Sequence, residues 1–177
     1  MDAAQAWAYG IIKNHDGIIT VSSEVGHGAN FTFFLPASQK QLSVPDQSTA
    51  SPRKGIGTIL MIDDEKMILD VSVQMLNGLG YTCLTADDGQ KGLEIYAQNQ
   101  ADIDLVILDL IMPKYGGEKV FDQLKTIDPD AKVLLSSGYS MDGHAKKIMQ
   151  RGCDGFIQKP FTLNEISHKI AEILSQP

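Results

Sequence analysis

Residues 104–109 read DLVILD: four consecutive large apolar residues closed by Asp109. A run this short and this apolar fits a strand buried on both faces, the kind found in the middle of a parallel sheet. Residues 58–64 repeat the plan as TILMI followed by Asp63 and Asp64, and residues 155–160 repeat it as GFIQ followed by Lys159 and Pro160. In a parallel sheet the carboxyl ends of all strands lie at one edge, where ligands bind. Three carboxylates gathered at that edge repel one another unless a cation and an ammonium group sit among them. The pattern therefore points to a magnesium-assisted site that handles a phosphoryl group.

Working outward, residues 58–174 alternate between short apolar runs and helical patterns. Strands are expected over 58–62, 81–85, 103–108, 132–136 and 155–158. A helix is expected to begin near Glu65 and to be ended by Gly80, with Ile68, Val71, Met75 and Leu79 as the recurring apolar positions, and further helices are expected over 88–98, 118–126, 142–151 and 162–174. Leu93 and Tyr96 are among the expected apolar contacts of the second of these helices. Strict alternation implies an α/β fold, a doubly wound five-stranded parallel sheet with helices on both faces in the flavodoxin-like order 2-1-3-4-5. That order sets the first and third strands side by side at the topological switch point, so Asp63, Asp64 and Asp109 meet across one crevice.

Each site residue has a plain structural alternative. Asp109 alone could simply tolerate a strand-to-loop junction, but two further acids and a lysine at equivalent sheet ends favour a nucleophile that attacks phosphorus to give an acyl phosphate. Asp63 and Asp64 would hold a hard cation through oxygen, helped by Asp109 and by a backbone carbonyl of the following loop. One of the pair could also cap the helix that begins near Glu65, and the roles are compatible. Lys159 supplies a compact charge for a phosphoryl oxygen; without a partner it is a solvated strand end. Ser137 closes VLLSS with a hydroxyl able to donate to such an oxygen, whereas Ser136, one residue earlier, faces the other side of the strand and is the weaker candidate. Phe156 reads as core, with a role in reporting occupancy as the second option.

The amino-terminal part is different. Residues 18–35 carry alternating Ile19 and Val21, then glycines at Gly26 and Gly28, then alternating Phe31, Phe33 and Leu35, which predicts a hairpin. A helix-like stretch, AWAYGIIKNHDG, precedes it. Residues 38–57 change to Ser, Gln, Pro and Lys with no periodicity, as expected of a linker.

Composition narrows the function. The 177 residues carry a formal net charge of -7, which argues against a nucleic-acid surface. No run approaches the roughly eighteen apolar residues of a membrane span, so the chain is expected to be cytoplasmic with no direct membrane contact, although a longer parent could be anchored. Cys83 and Cys153 show no metal-ligand spacing and are expected to be reduced and structural. The histidines, His15, His27, His144 and His168, are scattered.

The motifs ILMIDDE, DLVILDLIMPKYGG, VLLSSGYS and GFIQKPF, in this order, resemble the receiver domain of two-component response regulators across residues 57–174. The resemblance implies that Asp109 is the phosphoacceptor and that Asp63, Asp64, Asp109 and the main-chain carbonyl of Ile111 bind magnesium. It makes Ser137 the switch hydroxyl, Phe156 the switch aromatic, and Lys159 a lysine joined to Pro160 by a cis bond. It also implies that a receiver promotes its own aspartyl phosphorylation and dephosphorylation, with a histidine kinase or a histidine phosphotransfer protein as partner. YGIIKNHDGIITVSSEVGHGANFTFFLP resembles the last portion of a sensor histidine kinase ATPase domain, without the residues that bind ATP. Residues 1–36 are then a partial ATPase-domain segment, 37–56 a flexible linker and 57–174 the receiver, as in a carboxyl-terminal fragment of a hybrid sensor kinase. Kinase activity would need the remaining parent domains. The competing expectations are a receiver-like module that docks on a kinase without being phosphorylated, and a phosphoaspartyl hydrolase. The second would want another aspartate where Ile111 stands. Oligomeric state is open.

Overall fold

The computed structural model describes residues 12–13, 15–37, 51–113, 115–138 and 143–175. Most of the expected amino-terminal helix and most of the expected linker lie outside them. Contacts divide the chain into two units, residues 1–47 and 48–177.

In the first unit β1 (Ile18–Glu24) pairs antiparallel with β2 (Gly28–Phe34), in a register that sets Ile19 opposite Phe33 and Val21 opposite Phe31. The turn between them uses Gly26 and Gly28 at φ 86° and 88°, a left-handed conformation that glycine reaches without steric cost. Side chains on both strands are largely exposed.

The second unit runs β3 (Thr58–Ile62), α1 (Lys66–Leu79), β4 (Thr82–Ala86), α2 (Gly89–Asn99), β5 (Leu105–Asp109), α3 (Gly117–Ile127), β6 (Val133–Ser137), α4 (Gly143–Met149), β7 (Gly155–Gln158) and α5 (Leu163–Leu174). Its five strands are parallel in the order β4-β3-β5-β6-β7, the expected 2-1-3-4-5 of this unit. Element ends differ from expectation by one or two residues, chiefly because β5 and β6 run on to include Asp109 and Ser137 themselves.

The sheet is buried on both sides. One layer joins Leu60, Ile62, Val106, Leu108, Val133 and Leu135 to Tyr96, Val120, Phe121 and Leu124 of α2 and α3. The other joins Ile59, Met61, Leu105, Ile107 and Leu134 to Leu69, Leu76 and Leu79 of α1 and to Ile166, Ile170 and Ile173 of α5. Odd and even residues of one strand thus feed different layers, which is why the strands read as continuous apolar runs.

Local signals hold the helices in place. Gly80, at φ 99°, ends α1 and returns its N–H to Asn77 O. Asp88 caps α2 by accepting from Lys91 N at 2.8 Å, and Thr162 with Glu165 forms a capping box on α5. Helix α1 corrects one expectation. Its core face is Leu69, Ser72, Leu76 and Leu79, and Val71, read as a core position, is 50% exposed. Two hydrogen bonds also engage the end of the stretch read as linker: Arg53 N donates to Ser167 Oγ at 3.1 Å, and Gly55 N to Leu79 O at 2.9 Å.

Candidate phosphoryl-handling site

The site lies at the carboxyl ends of β3, β5, β6 and β7. Asp63 follows β3 immediately and is fully buried; its Oδ1 accepts from Glu65 N at 3.0 Å, and its Oδ2 faces the Lys159 ammonium at 2.5 Å. The N-cap residue of α1 is Glu65, with no side-chain cap hydrogen bond, so neither aspartate takes the capping role; Asp63 instead holds the turn that leads into the helix. Asp109, the last residue of β5, is 5% exposed. Its Oδ2 lies 3.3 Å from Lys159 Nζ, and its Oδ1 accepts a long 3.4 Å hydrogen bond from Ile111 N.

The lysine crosses the sheet to make these contacts. It leaves β7, where its own N–H donates to Ser137 O at 2.7 Å, and its ammonium bridges carboxylates on β3 and β5. The peptide bond between Lys159 and Pro160 is cis. Ligand-capable oxygens of Asp63, Asp64 and Asp109 all lie within 4.8 Å of one another, with Asp64 the exposed member. An all-oxygen, anionic donor set of this kind fits a hard divalent cation.

Burial pushes the Asp109 carboxyl above the usual carboxylate range; the Lys159 charge opposes this and the Asp63 charge adds to it. A cation bound among the three acids would favour the ionised form of Asp109. Elsewhere, burial pushes the Cys83 thiol up to about 11 and raises Cys153 as well, so neither is a thiolate at neutral pH. Both cysteines are free.

The loop after β5 is packed hard against the start of α3. Gly117 N donates to Leu110 O at 3.2 Å, and a Cβ at Gly117 would stand 2.2 Å from Asp109 O. The expected switch positions also have definite places. Ser137 is 2% exposed at the end of β6, and Phe156 is half-buried on β7 against the α2–α3 layer.

Sequence reasoning missed a groove of about 600 Å³ beside these acids, lined by Met67, Ile68, Val71, Met75, Ile111, Pro160 and Phe161 as well as Asp109 and Lys159. Met67 is 78% exposed and Ile111 54%. The signal was in the sequence: α1 carries Met67, Ile68, Val71 and Met75 in addition to Leu69, Leu76 and Leu79, an apolar arc wider than one core stripe requires.

Residues 59–171 match the response regulator receiver domain family, and the chain belongs to that family. It is 32% identical over 177 residues to the sensor kinase CckA of Brucella abortus, a match covering 95% of this chain and 19% of that protein. To the chemotaxis protein CheY of Treponema pallidum it is 29% identical over 141 residues, covering 79% of this chain and 90% of CheY. A crystal structure of a response regulator receiver domain protein from Clostridium thermocellum superposes with a TM-score of 0.64 at 33% identity, covering 67% of this chain and 94% of that one. The chain thus spans about a fifth of the length of the sensor kinase and nearly all of the chemotaxis protein. Homology to CheY and to hybrid sensor kinases is consistent with phosphorelay signal transduction. Among the described residues no helix is long and apolar enough to cross a membrane.

Proposed function

We propose that Asp109 accepts a phosphoryl group from a phosphohistidine and that the resulting acyl phosphate switches a protein-interaction face. The observation that carries this reading is the Lys159 ammonium, held 2.5 Å from Asp63 and 3.3 Å from Asp109 across three strands of the sheet. A carboxylate oxygen of Asp109 attacks phosphorus, the donor's N–P bond breaks, and its electron pair leaves with the imidazole nitrogen, which takes a proton. Lys159 follows the transferred group, exchanging a carboxylate partner for a phosphoryl oxygen. Ser137 donates its hydroxyl to another phosphoryl oxygen, and Phe156 repacks as β6 adjusts, which biases the face formed by β6, α4 and β7.

Asp63, Asp64 and Asp109, with the carbonyl of Ile111, would hold a magnesium ion. The ion would neutralise the charge shared by carboxylate and phosphoryl oxygens. The donor is a histidine kinase or histidine phosphotransfer protein. Its surface must reach Asp109, and the apolar groove of Met67, Val71, Ile111 and Phe161 is the surface next to that carboxylate. We assign residues 1–36 to the end of a kinase ATPase domain, 37–56 to a linker and 57–174 to the receiver. The match to a sensor kinase over 95% of the chain supports this organisation, and a cytoplasmic location follows from the donor chemistry.

Intact mass after incubation with magnesium and acetyl phosphate tests the acceptor. A phosphoryl-sized increment in the parent, removed by hydroxylamine and missing from Asp109→Asn, is the expected result. An equal increment in both proteins would remove Asp109 from the role. No increment with any small donor or kinase would instead favour a docking module that works unphosphorylated.

A further inference from the structure

Among the described residues one buried hydroxyl has no hydrogen-bond partner, Ser136 Oγ. Ser136 is 0% exposed, and an unpaired hydroxyl in that setting costs stability that an apolar residue of the same size would not. Its position in the sheet is specific. The β5–β6 register sets Ser136 opposite Asp109, and the β6–β7 register sets it opposite Ile157. Side chains in register on parallel strands share a face, so Asp109, Ser136 and Ile157 form one row. Leu134, Ile107 and Ile157 belong to the α1–α5 layer, which identifies that face; Val133 and Leu135 belong to the other.

Lys159 stands two residues beyond Ile157 on the same face. Its ammonium stands at Asp63 and Asp109, beyond β6 in the sheet order, and Ser136 lies in the row between Ile157 and Asp109. Gly138, two residues further on, carries no side chain, so Ser136 is the last side chain of β6 on this face. An ammonium group has three N–H donors, and the two carboxylates take two of them.

We propose that Ser136 is a positioning residue for Lys159. In the structure the Ser136 hydroxyl makes no hydrogen bond to the ammonium; when an arriving phosphoryl group draws Lys159 away from Asp63, that hydroxyl accepts the third N–H and keeps the ammonium over Asp109. This rests on Asp109 being the acceptor. It also explains why a polar side chain occupies a place in the sheet where a valine would pack without penalty.

The test uses the full chain as parent, Ser136→Val and Ser136→Thr, because the last two differ in the hydroxyl and share a shape. Thermal midpoint, the rate of phosphoryl gain from acetyl phosphate with magnesium, and the 15N-detected exchange of the Lys159 ammonium protons in the presence of magnesium and beryllium fluoride are measured on each. The valine variant is expected to fold at least as stably as the parent, to gain phosphoryl about tenfold more slowly, and to exchange its ammonium protons faster; the threonine variant should stay within about twofold of the parent. Equal rates and equal exchange in the two variants would overturn the proposal, as would a threonine variant as slow as valine. If the parent gains no phosphoryl group at all, the acceptor reading fails by itself, and the ammonium exchange, measured with magnesium and beryllium fluoride as a phosphoryl mimic, still decides whether Ser136 holds Lys159.

Discussion

Ile107 and Phe33 are both large apolar residues in strands of regular pairing, yet Ile107 is 0% exposed and Phe33 61%. The five-stranded sheet has a layer of helices on each side, while the side chains of β1 and β2 are largely exposed and, among the described residues, no helical layer covers them. Strand pairing is regular in each. What differs is the second layer, and a two-stranded ribbon without one gains little from its side chains. Stability and site therefore belong to the same unit, because the layers that bury β3, β5 and β6 also fix where their carboxyl ends stand.

Hydrogen exchange offers the harshest test of this contrast. Amides of Val106–Leu108 should be protected by ~10³-fold or more relative to the paired amides of β1 and β2, since core strands open only with the whole domain. Comparable protection in the two would show that the hairpin has a partner layer. Truncation sharpens the point: Ile107→Ala should cost about 2–5 kcal/mol in chemical denaturation, against roughly 0.5 kcal/mol or less for Phe33→Ala.

A smaller effect sits at the site. The raised Asp109 carboxyl stays protonated in the folded state to higher pH than in the unfolded chain, so metal-free stability should fall as pH rises from the ordinary aspartate range through the folded value. In chelator at neutral pH, Asp109→Asn should melt a few degrees above the parent, and the gap should close in acid. Magnesium should then raise the parent's midpoint and leave the variant's nearly unchanged. A parent that is the more stable of the two in chelator would mean that Lys159 outweighs burial. The smallest effect is expected at Arg151, whose guanidinium joins Glu118 and Asp122 of α3 at 2.9 Å each on the protein surface. Arg151→Ala should cost under about 1 kcal/mol, placing this exposed pair nearer to the hairpin than to the core.

The sheet was legible because DLVIL, TILMI and VLL are apolar on both faces, a pattern that few structures other than a covered parallel strand accommodate. The acids and Lys159 were legible because each closes such a run. What stayed hidden depended on register and on what else packs nearby. Val71 carries the right spacing for a core position, and spacing cannot distinguish a core stripe from a groove beside it. Ser136 was set aside in favour of Ser137 by a facing argument within one strand, whereas its relation to Asp109 comes from pairing between strands. The hairpin's alternation announced its strands correctly and was silent about what covers them.

The contact between Gly117 and the end of β5 has a consequence for how this gene can drift. A Cβ at residue 117 would press 2.2 Å from Asp109 O and 2.7 Å from Leu110 Cα, and both are backbone atoms that cannot swing aside as a side chain would. In a library of every single substitution selected for a folded, phosphorylatable protein, column 117 should come back nearly empty. Gly116, its neighbour, would have nothing within 4 Å of an added Cβ and should tolerate many replacements.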